Sequence, residues 1–264
     1  MQLEGLLNFI PAFVLAFFRL AGLMLTSPLF GSAKVPKRVK VLFASVATMG
    51  MMSAIPHDVV FPPTLVGLTF AIGGELIFGA AMGLIVSFTF FSAQWAGEMI
   101  GQQIGFNMSE VFDPQYGQAG SLVGDLYFML ALVIFLSIGG HRTLISAVHD
   151  SFVSIPLMSL TMNAALFDTF VGLFTTATTL AMRLAAPMFC TMLVVDLAMG
   201  CLGKAMPQFN IMTAGLPMRA IVGLLVLWVG VSHTGQVLEG AMIGSLQTFR
   251  DLFTMPIGGT AHGG

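Results

Sequence analysis

Apolar residues in this chain run in long blocks, at roughly 5–31, 39–55, 64–105, 122–140 (running on towards 149), 166–203 and 211–247. A simple membrane span needs about 20 residues. The blocks at 64–105 and 166–203 exceed that. As single straight helices they would run on the order of 60 Å at 1.5 Å per residue, twice a hydrocarbon core. Gly73-Gly74 in the first and Pro187 in the second are possible break points. These blocks therefore either fold back as hairpins or project beyond the membrane. The fold class expected is an all-α membrane protein, with residues 1–264 forming one integral-membrane domain.

Composition agrees with that pattern. Hydrophobic residues make up 56% of the chain and charged residues 8%, with a mean hydropathy of +0.93. A soluble domain carries about 25% charged residues, so lipid or partner subunits must cover much of this surface. A net charge of −2 argues against nucleic acid as a partner. The first residues carry Glu4 and no basic region, and Arg19 interrupts the apolar run, so 5–30 reads as a retained membrane segment. Lys34, Lys37, Arg38 and Lys40 are the one concentration of positive charge, which places that loop in the cytoplasm and the N-terminus outside. Residues 256–264 read as a frayed tail. Cys190 and Cys201 would lie about 16 Å apart on one helix, too far to bridge, and are expected to be free buried thiols.

Arg19, Glu75, Arg183, Asp196 and Arg219 lie inside apolar blocks. Each would cost roughly 2.5–3.5 kcal/mol at a bilayer centre. They are scattered and not stacked at helical spacing, which favours inter-helix pairs over a proton relay. Arg183 and Asp196, for instance, fall on nearly opposite faces of one helix, and Asp196 is expected at a buried helix or subunit contact. Gly97, Gly101 and Gly105 repeat every four residues, as do Gly79/Gly83 and Gly240/Gly244. Small residues at that spacing make a smooth stripe that another helix can approach closely. The 20 Met and 24 Phe are expected mainly to fill the core.

The five histidines show no zinc-ligand spacing. Metalloprotease, serine-hydrolase, Walker and dinucleotide motifs are all absent. No enzymatic activity, metal or cofactor is therefore expected. Two matching halves are not evident either, which weakens a secondary-transporter reading. A small-solute transporter or ion channel using Glu75, Asp196 and a polar loop is the alternative.

That polar loop lies in 97–124, which carries Glu98, Gln102, Gln103, Glu110, Asp113, Gln115 and Gln118 between two apolar segments. Irregular polar backbone beside membrane spans is tolerated only where protein covers it or water reaches it. Gly105, Gly117 and Gly120 give it flexible ends, and Asp113-Pro114 favours a turn. Phe106, Met108, Phe112 and Tyr116 supply bulk. The residues alone leave open a plain connecting loop or an obstruction in a water-filled lumen.

Gly105-Phe106 through Phe112-Asp113-Pro114, followed by Gly120, resembles the central signature of the FliR family. Gly139-Gly140-His141-Arg142 with Ser151-Phe152 and Pro156 is similar to that family's next motif. Val195-Asp196-Leu197-Ala198-Met199-Gly200, leading into Pro207-Gln208-Phe209-Asn210, resembles its Asp-containing helix and Pro-Gln-x-Asn turn. The opening fits through Arg19, Ser27-Pro28-Leu29-Phe30-Gly31 and the basic stretch from Lys34. Phe209 departs from the Met or Leu often found there. The motifs keep order and spacing over essentially the whole chain.

The resemblance implies a non-enzymatic subunit of the flagellar type III export gate, with relatives in virulence secretion. It implies a FliP-like part followed by a FliQ-like hairpin, with tilted helices. It also implies assembly with FliP and FliQ into a closed ring, at the flagellar basal body in the bacterial inner membrane, partly on the periplasmic side. FlhA, FlhB, lipid and transient unfolded export substrates would be its other partners. Residues 106–123 would be the channel plug, with Phe106, Asn107, Met108, Phe112, Asp113, Pro114 and Tyr116 as its core. Arg19, Asp196, Gln208 and Asn210 would make structural polar contacts.

Overall fold

A computed structural model describes residues 2–28, 30–31, 35–55, 59, 61–106, 121–158, 164–206 and 211–254. All regular structure among them is helical. The helices are α1 (Gln2–Thr26), α2 (Lys37–Met51), α3 (Leu65–Ile104), α4 (Leu122–Ser137), α5 (Gly140–Ser154), α6 (Ala164–Ala205) and α7 (Ile211–Thr254), with a 3-10 turn at Met52–Ala54. Six apolar blocks become seven helices because the fourth is cut at Gly139. That residue takes φ +73°, a left-handed conformation open to glycine at little cost. The Ile138 amide closes α4 on Ile134, and the Arg142 amide opens α5 on Gly139.

Neither possible break point interrupts its helix. α3 runs 40 residues straight through Gly73-Gly74, and α6 runs 42 residues through Pro187. α7, 44 residues long, likewise contains Pro217. Pro and Gly are tolerated inside such helices where surrounding groups and local adjustment compensate for the lost backbone bond. Among the described residues four helices are long and apolar enough to cross a membrane, or five spans if α4 and α5 together make one broken span.

The chain divides into two compact units. The first comprises 1–87, 139–171 and 243–264; the second comprises 88–138 and 172–242. α3, α6 and α7 contribute residues to both.

In the first unit α1 and α3 approach at backbone distance. A Cβ on Gly22 would lie 2.8 Å from the Ala80 amide nitrogen, one on Gly79 would strike the Arg19 carbonyl, and one on Gly83 would reach the Leu23 carbonyl at 2.7 Å. The Thr26 hydroxyl donates to the Ala80 carbonyl at 2.9 Å, and the Ser87 hydroxyl donates to the Thr26 carbonyl. Small residues thus bring the helices close enough for side chain–backbone bonds to form across them.

In the second unit Phe90 of α3 packs on Phe128 and Phe135 of α4, with ring centroids 5.7 and 5.4 Å away. Trp95 and Phe88 of α3 both meet Phe174 of α6 edge-on at 6.3 Å. Gly223 of α7 seats the Met192 side chain of α6, whose methyl would lie 2.9 Å from an added Cβ. Cys190 and Cys201 are free, as expected, but exposed and not buried. Both sit on faces of α6 that this chain does not cover, and an all-round apolar helix gives no sign of which face turns outward.

Candidate functional site

The polar stretch of the second unit is framed by two well-formed helix ends. α3 stops in a Schellman arrangement: the Phe106 amide donates to the Gly101 carbonyl and the Gly105 amide to the Gln102 carbonyl, both at 3.1 Å. Gly105 takes φ +94°, which a side chain would strain. α4 begins at Ser121, whose hydroxyl accepts from the Gly124 amide at 3.2 Å. Asp125 in the first turn of α4 adds negative charge where the helix dipole favours it.

These two ends belong to helices held together lower down. A Cβ on Gly97 would fall 2.5 Å from the Val123 carbonyl oxygen and 2.7 Å from the Gly124 Cα. One on Gly124 would meet the Glu98 Cγ at 3.0 Å. Gly97 and Gly101 are buried. The glycines of the stripe therefore differ in role: Gly97 admits α4, while Gly105 ends the helix, and a Cβ there would meet only the Leu216 side chain among the described residues. Gly240 and Gly244 face open space. Of the residues expected to form the plug, Phe106 is described, exposed on the closing turn of α3. Asn107, Met108, Phe112, Asp113, Pro114 and Tyr116 lie outside the described residues.

A second polar centre is buried in the first unit. Arg19 of α1 is 1% exposed and Glu75 of α3 is 2% exposed, with Arg19 Nε donating to Glu75 Oε2 at 2.6 Å. Arg19 Nη1 donates to the Ile155 carbonyl at 3.2 Å and to the Ser151 carbonyl and hydroxyl at 3.3 and 3.4 Å. The guanidinium carbon lies 4.7 Å from the Phe78 ring centroid and 4.8 Å from that of Phe152. Glu75 Oε1 accepts from the Met158 amide at 2.8 Å. Met158 takes φ +65°, uncommon for a side chain of its size. One buried ion pair thus joins α1, α3, α5 and the turn that follows α5. The roles of Ser151, Ile155 and Met158 carried no signal in the sequence beyond Ser151-Phe152 recurring as part of a motif, since three of the four hydrogen bonds use backbone atoms.

Asp196 of α6 pairs with Arg219 of α7, with Nη2 donating to Oδ1 at 2.5 Å and both side chains nearly half exposed. In this chain Asp196 is at a helix contact but not buried. Gln208 and Asn210 lie outside the described residues. Among the described residues, no three His, Cys, Asp or Glu side chains gather to hold a metal ion.

Residues 10–244 match the family of bacterial export proteins, family 1. Among relatives, the flagellar biosynthetic protein FliR of Bacillus subtilis strain 168 is 29% identical over 262 residues, 96% of this chain and 98% of its own. FliR of Aquifex aeolicus strain VF5 is 28% identical over 83% of this chain and 85% of its own. FliR of Escherichia coli K12 is 28% identical over 84% of each. The capped polar segment, the paired charges on apolar helices and this match over nearly the full length lead to one assignment: the chain belongs to the FliR family of bacterial export proteins.

Proposed function

We propose that the chain is a non-enzymatic subunit of the flagellar type III protein export gate. With FliP and FliQ it forms the channel for unfolded flagellar proteins, working beside FlhA and FlhB. It resides in the bacterial inner membrane at the flagellar basal body, with part of the complex on the periplasmic side. The observation that carries this reading is the match of residues 10–244 to an export family whose relatives are named flagellar biosynthetic proteins.

Surface character supports it. In the apolar 18-residue window of α7 only 6% of the residues are buried within the chain itself. Leu193, Val194 and Leu197 of α6 are also exposed. Surfaces of that extent call for cover by lipid or by other subunits. The segment from Phe106 to Val123 is the plug of the closed channel in this proposal, with the capped ends of α3 and α4 as its mounting. Native mass spectrometry of the chain co-expressed with FliP and FliQ tests the reading. A complex holding all three subunits, lost when this chain is omitted, is expected. A homogeneous, solute-conducting assembly of this chain alone would replace the gate with a transporter or ion channel.

A further inference from the structure

The hairpin of α6 and α7 in the second unit carries charge at two levels. Near its tip Asp196 and Arg219 pair. Arg183 lies thirteen residues back along α6, and His233 fourteen residues onward along α7. At 1.5 Å per residue both stand about 20 Å from that pair, so they share one level. Between this level and the tip run residues 184–203 and 211–232, where Asp196 and Arg219 are the only charged positions. Each leg is about 30 Å long, the thickness of a hydrocarbon core. Beyond the level both helices stay apolar on average but gain polar side chains, with Thr175, Thr176, Thr178 and Thr179 on α6 and Gln236 and Glu239 on α7. Trp228, 77% exposed, sits just inside it, where indoles collect at membrane boundaries.

Arg183 is exposed and makes no ion pair among the described residues. Arg183, His233 and Thr234 line a cleft of about 320 Å³, and Tyr127 forms part of its wall. Leu184, Met188, Val226 and Leu227 continue the wall into the apolar legs. Gly230 also lines it, and an added Cβ there would meet nothing within 4 Å.

We propose that this cleft binds an anionic phospholipid, with the phosphate against Arg183 and His233 and an acyl chain along the apolar wall. A guanidinium offers forked donors that match phosphate oxygens, and a neutral imidazole still offers one N–H. The charge is complementary, and the polar end of the cleft lies at the level where headgroups reside. Free phosphate would leave the apolar wall uncovered. A partner's carboxylate would satisfy Arg183, but nothing about it would account for the adjoining apolar cleft. The proposal does not depend on the export-gate reading.

The test uses the full chain with Trp95→Phe, which leaves Trp228 as the sole indole. It is placed in phosphatidylcholine nanodiscs doped with phosphatidylglycerol or phosphatidylcholine carrying brominated acyl chains. Brominated phosphatidylglycerol should quench Trp228 more strongly, matching a local enrichment of about fivefold for one cationic side chain. Arg183→Gln should abolish the preference, Arg183→Lys should keep most of it, and Gly230→Leu should abolish it with the charge intact. Retained helical circular dichroism separates these outcomes from misfolding, with Arg183→Lys as the folded reference. Equal quenching by both lipids in the Arg183 protein, or a preference that survives Arg183→Gln, overturns the proposal. So does release of a co-purified subunit by Arg183→Gln when the Arg183 protein itself shows no lipid preference, which would assign the cleft to a partner's carboxylate.

Discussion

Arg19 and Glu75 are buried charges that owe their tolerance to each other. Desolvating an ion costs several kcal/mol, and removing one member of a buried pair costs about 3–5 kcal/mol because the other is left uncompensated. Arg19→Met or Glu75→Leu alone should therefore destabilise the chain by about that much. The double variant should lose far less than the sum of the two. A double-mutant cycle on unfolding in detergent measures this, and additive losses would show that the two charges do not depend on each other. The pair was not legible in the sequence: the residues are 56 positions apart, and only their presence as opposite charges in apolar blocks hinted at it. Asp196 stands differently, since it and Arg219 are both half exposed, and such pairs contribute about 0–1 kcal/mol in water. Asp196→Asn keeps an acceptor for Arg219, so assembly and swimming should survive it better than Asp196→Leu. Loss of motility in the Asn variant with the complex intact would give Asp196 a titrating role instead.

At the scale of helices, glycines at the same four-residue spacing have unlike consequences. Gly97→Leu should disrupt the α3–α4 contact, because even a Cβ would sit 2.5 Å from the Val123 carbonyl. Gly240→Leu should leave the chain's own fold intact, since nothing lies within 4 Å. Comparing protease resistance of the two purified variants checks both. Equal resistance would show that α3 and α4 do not need the close approach. Periodicity revealed the stripe but not its divided labour, because neighbours and backbone angles are tertiary facts. The same limit explains the uninterrupted α3 and α6: whether Gly73-Gly74 or Pro187 breaks a helix depends on what packs around it. It explains the thiols too, since a helix apolar on every side does not declare its outward face. The helices themselves were legible, because runs of apolar residues this long can satisfy their backbone in lipid only as helices or closed barrels.

At the scale of the whole molecule, the proposed plug predicts a segment whose flanking helix ends are fixed and whose removal spares the scaffold. Gly97 and Gly124 let α3 and α4 pack together below it, and Gly105 and Ser121 terminate the two helices through hydrogen bonds with residues of those helices. Deleting residues 108–118 leaves 105–107 and 119–121 to join Ile104 to Leu122. Those residues reach about 20 Å when extended. The axial rise from Gly97 to Ile104 is only about 10 Å, so the helices need not move. Assembly should therefore survive the deletion. If the loop closes the channel, its removal takes away the bulk of Met108, Phe112 and Tyr116 and leaves a water-filled path. Ion conductance across membranes carrying the assembled complex should then rise above that of the intact chain. An assembled deletion complex that conducts no more than the wild type would reduce the segment to a connection between two helices, and closure would have to be sought in the ring of subunits.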